Sequence, residues 1–209
     1  MTTLARSSFR IALLVTALAW GAFPAWGASN FVRVPFGNGV SVEIPGTWVV
    51  LTGDQRLSVE AYVAARATRK TEPASAAHLH DERGRTRALV NVLFSPKNTA
   101  TQDNVRELTA EDMKNLDAEL RSLAEKPLKA MGTRMTHWYG STIRVINGLH
   151  VVVHEHQTSG IGDTGPTRVR GLRIWSSPRS FTVMLSYRVS DAKMLLPIIE
   201  HMTASVRQE

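Results

Sequence analysis

The chain has 209 residues, of which 43% are hydrophobic and 21% are charged, and its 25 Lys and Arg against 18 Asp and Glu give a formal charge of +7. This composition is too apolar for a disordered chain and too polar for a protein with several membrane spans. The sequence contains no cysteine, which excludes disulfide scaffolds, thiolate metal sites, a cysteine nucleophile and a lipid-modified N-terminal cysteine.

Residues 1–27 are predicted to be a secretory signal peptide. Two arginines precede an apolar run that begins at Ile11, and Ala25-Trp26-Gly27 places small residues before a cleavage site at Ala28. The alternative is an uncleaved N-terminal anchor. However, a glycine and a proline interrupt the apolar stretch, so it is shorter than the ~20 residues that a spanning helix needs.

The compartment follows from this segment. We expect a periplasmic or secreted protein that is not a lipoprotein and that keeps no stable membrane anchor after cleavage. Residues 28–209 are then predicted to form one domain, whose oligomeric state the sequence does not indicate.

The N-terminal part of this domain carries a hairpin pattern. Phe31–Pro35 and Val40–Ile44 flank Gly-Asn-Gly, which predicts two strands and a tight turn. The following Pro-Gly-Thr breaks the strand and places Trp48 on the core. Leu57–Ala67 is predicted to be a helix, although its β-branched and aromatic residues would also suit a strand.

The central part alternates between polar and periodic stretches. Residues 68–87 have no apolar period and are predicted to form a mobile loop, whereas Ala88–Phe94 is a buried strand. A helix is predicted over 110–126, because Thr109 is a good N-cap residue and Pro127 is expected to end the helix. Its apolar face contains Met113, Leu116, Leu120 and Leu123.

The C-terminal part predicts an antiparallel meander. Its four strands are Ser141–Ile146, Leu149–Gln157, Thr167–Trp175 and Phe181–Val189. Asn147-Gly148 is a strong hairpin signal, and a glycine-rich loop at 160–165 connects the middle pair.

A helix capped by Ser190 is predicted to complete the chain over 191–207, with Pro197 facing solvent. We expect this helix and the 110–126 helix to cover the apolar face of the meander and to leave its other face free for contact. The fold class is therefore α+β, an antiparallel sheet with helices packed on it.

Two stretches resemble a known family. Val40-Ser41-Val42-Glu43-Ile44-Pro45-Gly46-Thr47-Trp48 is similar to the opening signature of PsbP-like proteins, which include the bacterial DcrB-type members, and Phe181–Tyr187 with the final helix is similar to their last strand and helix. The resemblance implies a single antiparallel sheet with packed helices, used as a binding or assembly module rather than as an enzyme. It assigns no functional residue, and the missing cysteine separates this chain from the lipoprotein members.

Three histidines form the most distinctive candidate site. In a strand His150, His154 and His156 share a face with Val152, because side chains alternate. Neutral imidazoles suit zinc or copper, so His154 and His156 are candidate metal ligands, with a further ligand from His150 or from His78 and His80 in the polar loop. Arg168 and Arg170 on the next strand are expected on the same face, where they would oppose a metal ion. A solvent-exposed or helix-covered strand without metal is the alternative.

The arginines of the meander are a second candidate site. If they face one side, they would contact an anionic ligand or partner; the alternative is a solvated basic face. The candidates are Arg168, Arg170, Arg173 and Arg188, with Arg144 as a further member. Nucleic acid is not expected as a partner, because no basic stripe with interleaved aromatic residues occurs.

No catalytic motif is found. No serine lies in a nucleophile elbow, and His154-Glu155-His156 lacks the spacing of a helical metalloprotease site. The leading hypothesis is a non-enzymatic periplasmic binding or accessory module that recognises a periplasmic or envelope protein or a small ligand, without a cofactor. The alternatives are a histidine-based metal-binding protein and a hydrolase with residues dispersed in sequence.

Overall fold

The computed structural model describes residues 30–68, 72–95, 99–160 and 165–208. The strands in these ranges are β1 (Phe31–Gly37), β2 (Val40–Pro45), β3 (Val49–Thr52), β4 (Gln55–Ser58), β5 (Ala76–His80), β6 (Thr86–Ser95), β7 (Met135–Ile146), β8 (Leu149–Thr158), β9 (Thr167–Ser176), β10 (Arg179–Arg188) and β11 (Arg207–Gln208). The helices are α1 (Val59–Ala67), α2 (Gln102–Arg106), α3 (Ala110–Ala130) and α4 (Ala192–Ser205). The predicted signal peptide and most of the glycine-rich connection lie outside the described residues.

The strands form two antiparallel sheets. The large sheet has the order β4-β3-β5-β6-β10-β9-β8-β7, and the small sheet has the order β1-β2-β11. The predicted meander is confirmed, since β7 to β10 lie side by side in chain order. The tight turn between β7 and β8 uses positive φ angles of 48° at Asn147 and 81° at Gly148. The single sheet implied by the resemblance is replaced by two, because the N-terminal hairpin pairs with β11 instead of joining the large sheet.

One face of the large sheet, here called the first face, carries the main core. The small sheet, α1 and α4 cover it with side chains that include the fully buried Val42, Ile44, Leu195 and Ile199. Trp48 is 1% exposed in the same core, as predicted. Each such aliphatic side chain contributes about 1.5–3 kcal/mol when it leaves water.

The opposite, second face is covered over β7, β8 and β9 by α2 and α3. The expectation that both long helices cover one face and leave the other free is therefore wrong. The reason lies in β8, which is apolar on both sides: Val151 and Val153 point into the main core, whereas Val152 packs under Val105 and Leu120. Both faces of β8 therefore need to be covered, and α4 packs on the first face whereas α3 packs on the second.

The segment 68–87 is not the single loop that its composition predicts. It contains β5 and the start of β6, and β5 lies between β3 and β6 in the large sheet. Ala77 of β5 is fully buried. The neighbouring strands β3 and β6 accept and donate the backbone hydrogen bonds of β5, so the strand forms without large β-branched side chains. Because its composition is rich in alanine, the sequence does not show the pattern of a strand.

Helix α1 confirms the helical interpretation of Leu57–Ala67, although the helix starts at Val59. Its first turn is capped by the Ser58 hydroxyl, which accepts a hydrogen bond from the Ala61 N–H at 3.2 Å. Leu57 and Ser58 complete β4 instead.

Helix α3 begins as predicted and ends later. The Thr109 hydroxyl accepts a hydrogen bond from the Asp112 N–H at 3.2 Å, and the Asp112 carboxylate accepts from the Thr109 N–H at 3.0 Å. The prediction that Pro127 ends the helix is wrong. Pro127 lies in the last turn, where only one hydrogen bond is lost, and its carbonyl accepts from the Met131 N–H at 3.1 Å. Leu123 is 43% exposed and does not belong to the buried stripe.

Helix α4 starts at Ala192 after a 3-10 turn at Val189–Asp191, so Asp191 takes the N-cap position that was predicted for Ser190. The helix continues through Pro197, which is exposed as predicted. Among the described residues, none of the helices combines the length and the hydropathy of a membrane span.

Candidate functional site

The candidate site lies on the second face, where α2 and α3 cross β7, β8 and β9. Helix α2 is fixed to two strands through one side chain. Gln102 donates hydrogen bonds to the carbonyls of His150 at 3.3 Å and Trp175 at 2.8 Å, and its own carbonyl accepts from the His150 N–H at 2.6 Å. A single amide thus links the strand of the histidines to β9 and anchors one wall of the site.

Two of the predicted histidines meet in a buried aromatic layer. The rings of His154 and His156 are parallel within 5° with centroids 6.2 Å apart. Trp138 of β7 stacks on both, at 5.6 Å and 6.0 Å. The Trp138 indole N–H donates to both carboxylate oxygens of Asp117 at 3.1 Å and 3.0 Å, which ties the layer to α3. His154 and His156 are 5% and 3% exposed, so this face is covered rather than free.

Burial sets the charge of these histidines. Desolvation lowers the pKa of His154 to about 4, with smaller contributions from the positive charges of His156 and Arg173 and an opposing one from Asp117. Burial also lowers the pKa of His156 to about 4. Both rings are therefore neutral near pH 7. Their Nδ1 atoms are buried and have no hydrogen-bond partner among the described residues.

Gly171 makes room for His154. The two residues face each other across β8 and β9, and a β-carbon built on Gly171 would overlap the His154 ring. The backbone of Gly171 does not require glycine, because its φ lies outside the left-handed region. Space, rather than conformation, therefore calls for glycine here.

The candidate arginines do not form one basic face. Arg168 and Arg170 point to the first face with Glu155, so the expectation that they share a face with the histidines is wrong. Arg170 is 5% exposed and also pairs with Glu200 of α4 at 2.6 Å. Arg188 pairs with Asp81 at the end of β10 at 3.1 Å.

Arg173 alone among the four candidates stays on the histidine face. Its guanidinium lies 5.0 Å from the centroid of the Trp175 ring, and it is half-buried. It forms no ion pair with a carboxylate of the described residues.

The remaining histidines are not brought to this layer. His78 and His80 lie on β5, which is separated from β8 by β6, β10 and β9, or ~19 Å of sheet. They stack on each other at 4.4 Å instead. His150 is half-buried on β8. In the parts of the chain that the structure describes, no three His, Asp or Glu side chains are grouped as metal ligands.

A groove opens beside the aromatic layer, with a volume of about 420 Å³. We call it the α2–α3 groove. Its apolar lining is Ala100, Val105, Leu108, Leu116 and Trp175, and its polar lining is Asn104, Asp112, Asn115, Glu119 and Arg173.

Sequence reasoning did not predict this groove, because α2 has only five residues and no apolar period. The one local signal is the spacing of Thr101 and Asn104, which form a reciprocal cap.

Comparison with solved structures identifies proteins with a similar fold. No protein-family model matches the sequence, and no curated protein gives a significant match. Among solved structures, the chain is similar to cyanobacterial PsbP (CyanoP) from Synechocystis sp. PCC 6803, with a TM-score of 0.54 and 12% identity over 91% of this chain and 99% of that chain.

Two other solved structures are more distant. The first is LpqN of Mycobacterium tuberculosis, which is involved in cell envelope biogenesis; it has a TM-score of 0.45 and 10% identity over 85% of this chain and 90% of that chain. The second is the Ran-binding protein Mog1p of Saccharomyces cerevisiae, with a TM-score of 0.42 and 10% identity over 87% of this chain and 96% of that chain. The similarity to CyanoP confirms the PsbP-like α+β fold, and at this identity it describes the fold alone.

Proposed function

We propose that this chain is a non-enzymatic binding module that works in the periplasm after export, and that the α2–α3 groove is its recognition site. The observation that carries the proposal is the groove itself. Its volume of about 420 Å³ lies within the range of small-molecule sites, which are concave, largely apolar and carry a few placed polar groups.

The walls of the groove are held in place, which favours binding without a large rearrangement. Gln102 fixes α2 to β8 and β9, the Thr109–Asp112 cap fixes the start of α3, and Asp117 fixes the middle of α3 to Trp138. A site whose walls are fixed before binding loses less conformational entropy when the ligand arrives.

Leu116 offers a direct test, because it lines the groove, whereas Leu123 lies on the same helix and is exposed. Protein purified from the periplasm is analysed by native mass spectrometry. We expect wild type and Leu123→Glu to carry a bound small molecule and Leu116→Glu to lose it. Retention of the same molecule by a folded Leu116→Glu variant, or an unliganded wild-type protein, contradicts the proposal.

A second candidate function is transition-metal binding by His154 and His156, with His150 as the nearest further ligand in sequence. The observation that favours it is the pair of buried, neutral imidazoles whose Nδ1 atoms have no partner. Neutral imidazole is the form that ligates zinc or copper.

Metal analysis of wild type, His154→Ala and His156→Ala after incubation with Zn²⁺ or Cu²⁺ tests this function. We expect a stoichiometric metal in wild type that both variants lose. A metal content near zero in all three proteins discards metal binding.

An accessory role also implies a protein partner in the periplasm or the envelope, which remains a prediction. Crosslinking in intact cells followed by mass spectrometry is the direct measurement. We expect one envelope protein to be captured repeatedly, and recovery of none across growth conditions counts against the accessory role.

A further inference from the structure

We infer that the α2–α3 groove binds an apolar molecule that carries a single anionic group, such as an aliphatic carboxylate, and that Arg173 is the residue that anchors this group. The inference rests on the proposed function, because it names the ligand class of the same groove. It is carried by the placement of Arg173 in the groove and by the charges around it.

Arg173 is a half-buried cation that forms no ion pair with any described carboxylate. The buried Arg170 and the half-buried Arg188 pair with Glu155 and Asp81 at 2.6 Å and 3.1 Å. Arg173 instead lies against the Trp175 ring, and the described residues place no carboxylate within ion-pair distance of it. A guanidinium that has lost part of its hydration gains from an anionic partner, and its planar fork matches a carboxylate.

The aromatic layer beside Arg173 holds no acid that forms an ion pair with it among the described residues. Burial lowers the pKa of the neighbouring His154, with a smaller contribution from the charge of Arg173, so this ring is neutral near pH 7 and adds no charge to the groove. Asp117, the other charged group of the layer, accepts hydrogen bonds from Trp138. The guanidinium of Arg173 therefore keeps its charge in the groove that it lines.

The opposite wall limits the charge that the ligand can carry. Asp112 and Glu119 of α3 also line the groove. The cap at Thr109 lowers the pKa of Asp112 and keeps this carboxylate ionised. Two carboxylates on the α3 wall repel a polyanion, whereas Arg173 on β9 is the cation among the lining residues and can compensate one anionic group. A monoanion with an apolar body fits this distribution better than a phosphate ester or a dicarboxylate.

The apolar body of such a ligand would contact Val105, Leu108 and Leu116, which stand on α2, after it and on α3. An eight-carbon chain is a suitable probe. Octanoate, octanol and suberate share similar chain lengths and differ in charge, so they separate the contribution of the anion from that of the chain.

Isothermal titration calorimetry of delipidated wild-type protein with these probes tests the inference. We expect octanoate to bind about 10-fold to 100-fold more tightly than octanol, which is the size of one charge-assisted hydrogen-bonded pair. Suberate should bind more weakly than octanoate. Arg173→Gln should remove the preference for octanoate over octanol, whereas Arg121→Gln, a change of equal charge on the exposed side of α3, should leave that preference in place.

The outcomes separate this inference from the proposed function. Equal binding of octanoate and octanol that Leu116→Glu abolishes would keep the groove as the site and overturn the role of Arg173. An octanoate preference that survives in Arg173→Gln would also overturn it. Failure of all three probes to bind would overturn the inferred ligand class, whereas the native mass spectrometry of wild type and Leu116→Glu decides on the groove itself. Binding that Leu116→Glu does not affect would overturn both.

Discussion

The absence of a side chain at Gly171 leaves the space that the buried His154 ring occupies. A β-carbon at this position would overlap the His154 ring, and that ring is confined by Trp138 on its other side. We therefore expect Gly171→Ala to destabilise the protein by about 1–3 kcal/mol, the usual cost of overpacking a closed core. Urea unfolding followed by circular dichroism measures this change.

The His154→Ala background controls for effects on β9 itself. If the clash with the ring is the cause, Gly171→Ala costs little in that background, and the coupling between the two changes is large. An equal cost in both backgrounds would contradict the assigned contact.

The neutral histidine pair makes stability depend on pH. An unfolded histidine titrates near 6.5, whereas burial lowers the pKa of His154 and His156 to about 4 in the folded chain. The unfolded state binds more protons between these values. The stabilising contribution is therefore complete above pH 6.5 and is lost as the pH falls toward 4, by up to about 1.4 kcal/mol per pH unit for each ring.

Urea unfolding at pH 7.0, 6.0 and 5.0 detects this loss above the range in which most carboxylates titrate. The double variant His154→Leu/His156→Leu should show a much shallower slope over the same interval. A wild-type stability that stays constant from pH 7 to pH 5 would show that the rings are solvated or already protonated.

At the level of the elements, Arg170 connects α4 to the large sheet. Its guanidinium donates to Glu155 and Glu200 at 2.6 Å each and to the Thr203 hydroxyl at 3.0 Å. Removing a buried cation leaves its partners without compensation. Because Glu200 is half exposed, we expect Arg170→Met to cost about 2–3 kcal/mol, below the range for a fully buried pair.

Arg121→Met is the matched control for thermal unfolding. Arg121 pairs with Glu125 on the exposed side of α3, and such surface pairs contribute less than about 0.5 kcal/mol. Equal melting temperatures for Arg170→Met and wild type would show that the network does not fix α4.

Whether an element can be predicted from the sequence depends on how far apart in sequence the residues that stabilise it lie. Local signals predict the β7–β8 hairpin and the start of α3, because Asn147-Gly148 and Thr109 act on adjacent residues. The strand β5 depends on β3 and β6, and no local signal marks it.

The candidate site likewise has a part that the sequence predicts and a part that it does not. Alternation along β8 predicts that His154 and His156 share a face. It does not predict that α2 covers that face, because this depends on Gln102 reaching strands 48 and 73 residues away in sequence. Side chains that meet across such separations carry no sequence period.

At the scale of the whole molecule, export is a prediction that a single mass measurement tests. The segment before Ala28 combines a positive start, an apolar run and small residues at the cleavage site. We expect chain recovered from a periplasmic fraction to begin at Ala28. An intact N-terminus in the membrane fraction would support the anchored alternative and contradict periplasmic release.

The two faces of the large sheet are covered to different extents. The small sheet, α1 and α4 cover the first face, whereas α2 and α3 cover only the β7–β9 part of the second. The α2–α3 groove lies within this second cover, beside a neutral aromatic layer and Arg173, which forms no ion pair with the residues that the structure describes. This arrangement supports the proposal that the groove is a binding site.

The most direct test of that function is to map where a ligand changes the protein. Amide and indole resonances of ¹⁵N-labelled protein are recorded during titration with octanoate. We predict that the shifts concentrate on α2, the first half of α3, and the Arg173 and Trp175 signals. Shifts confined to the small sheet and α4 would contradict the assignment of the groove as the recognition site, and a spectrum that octanoate leaves unchanged would contradict the inferred ligand class.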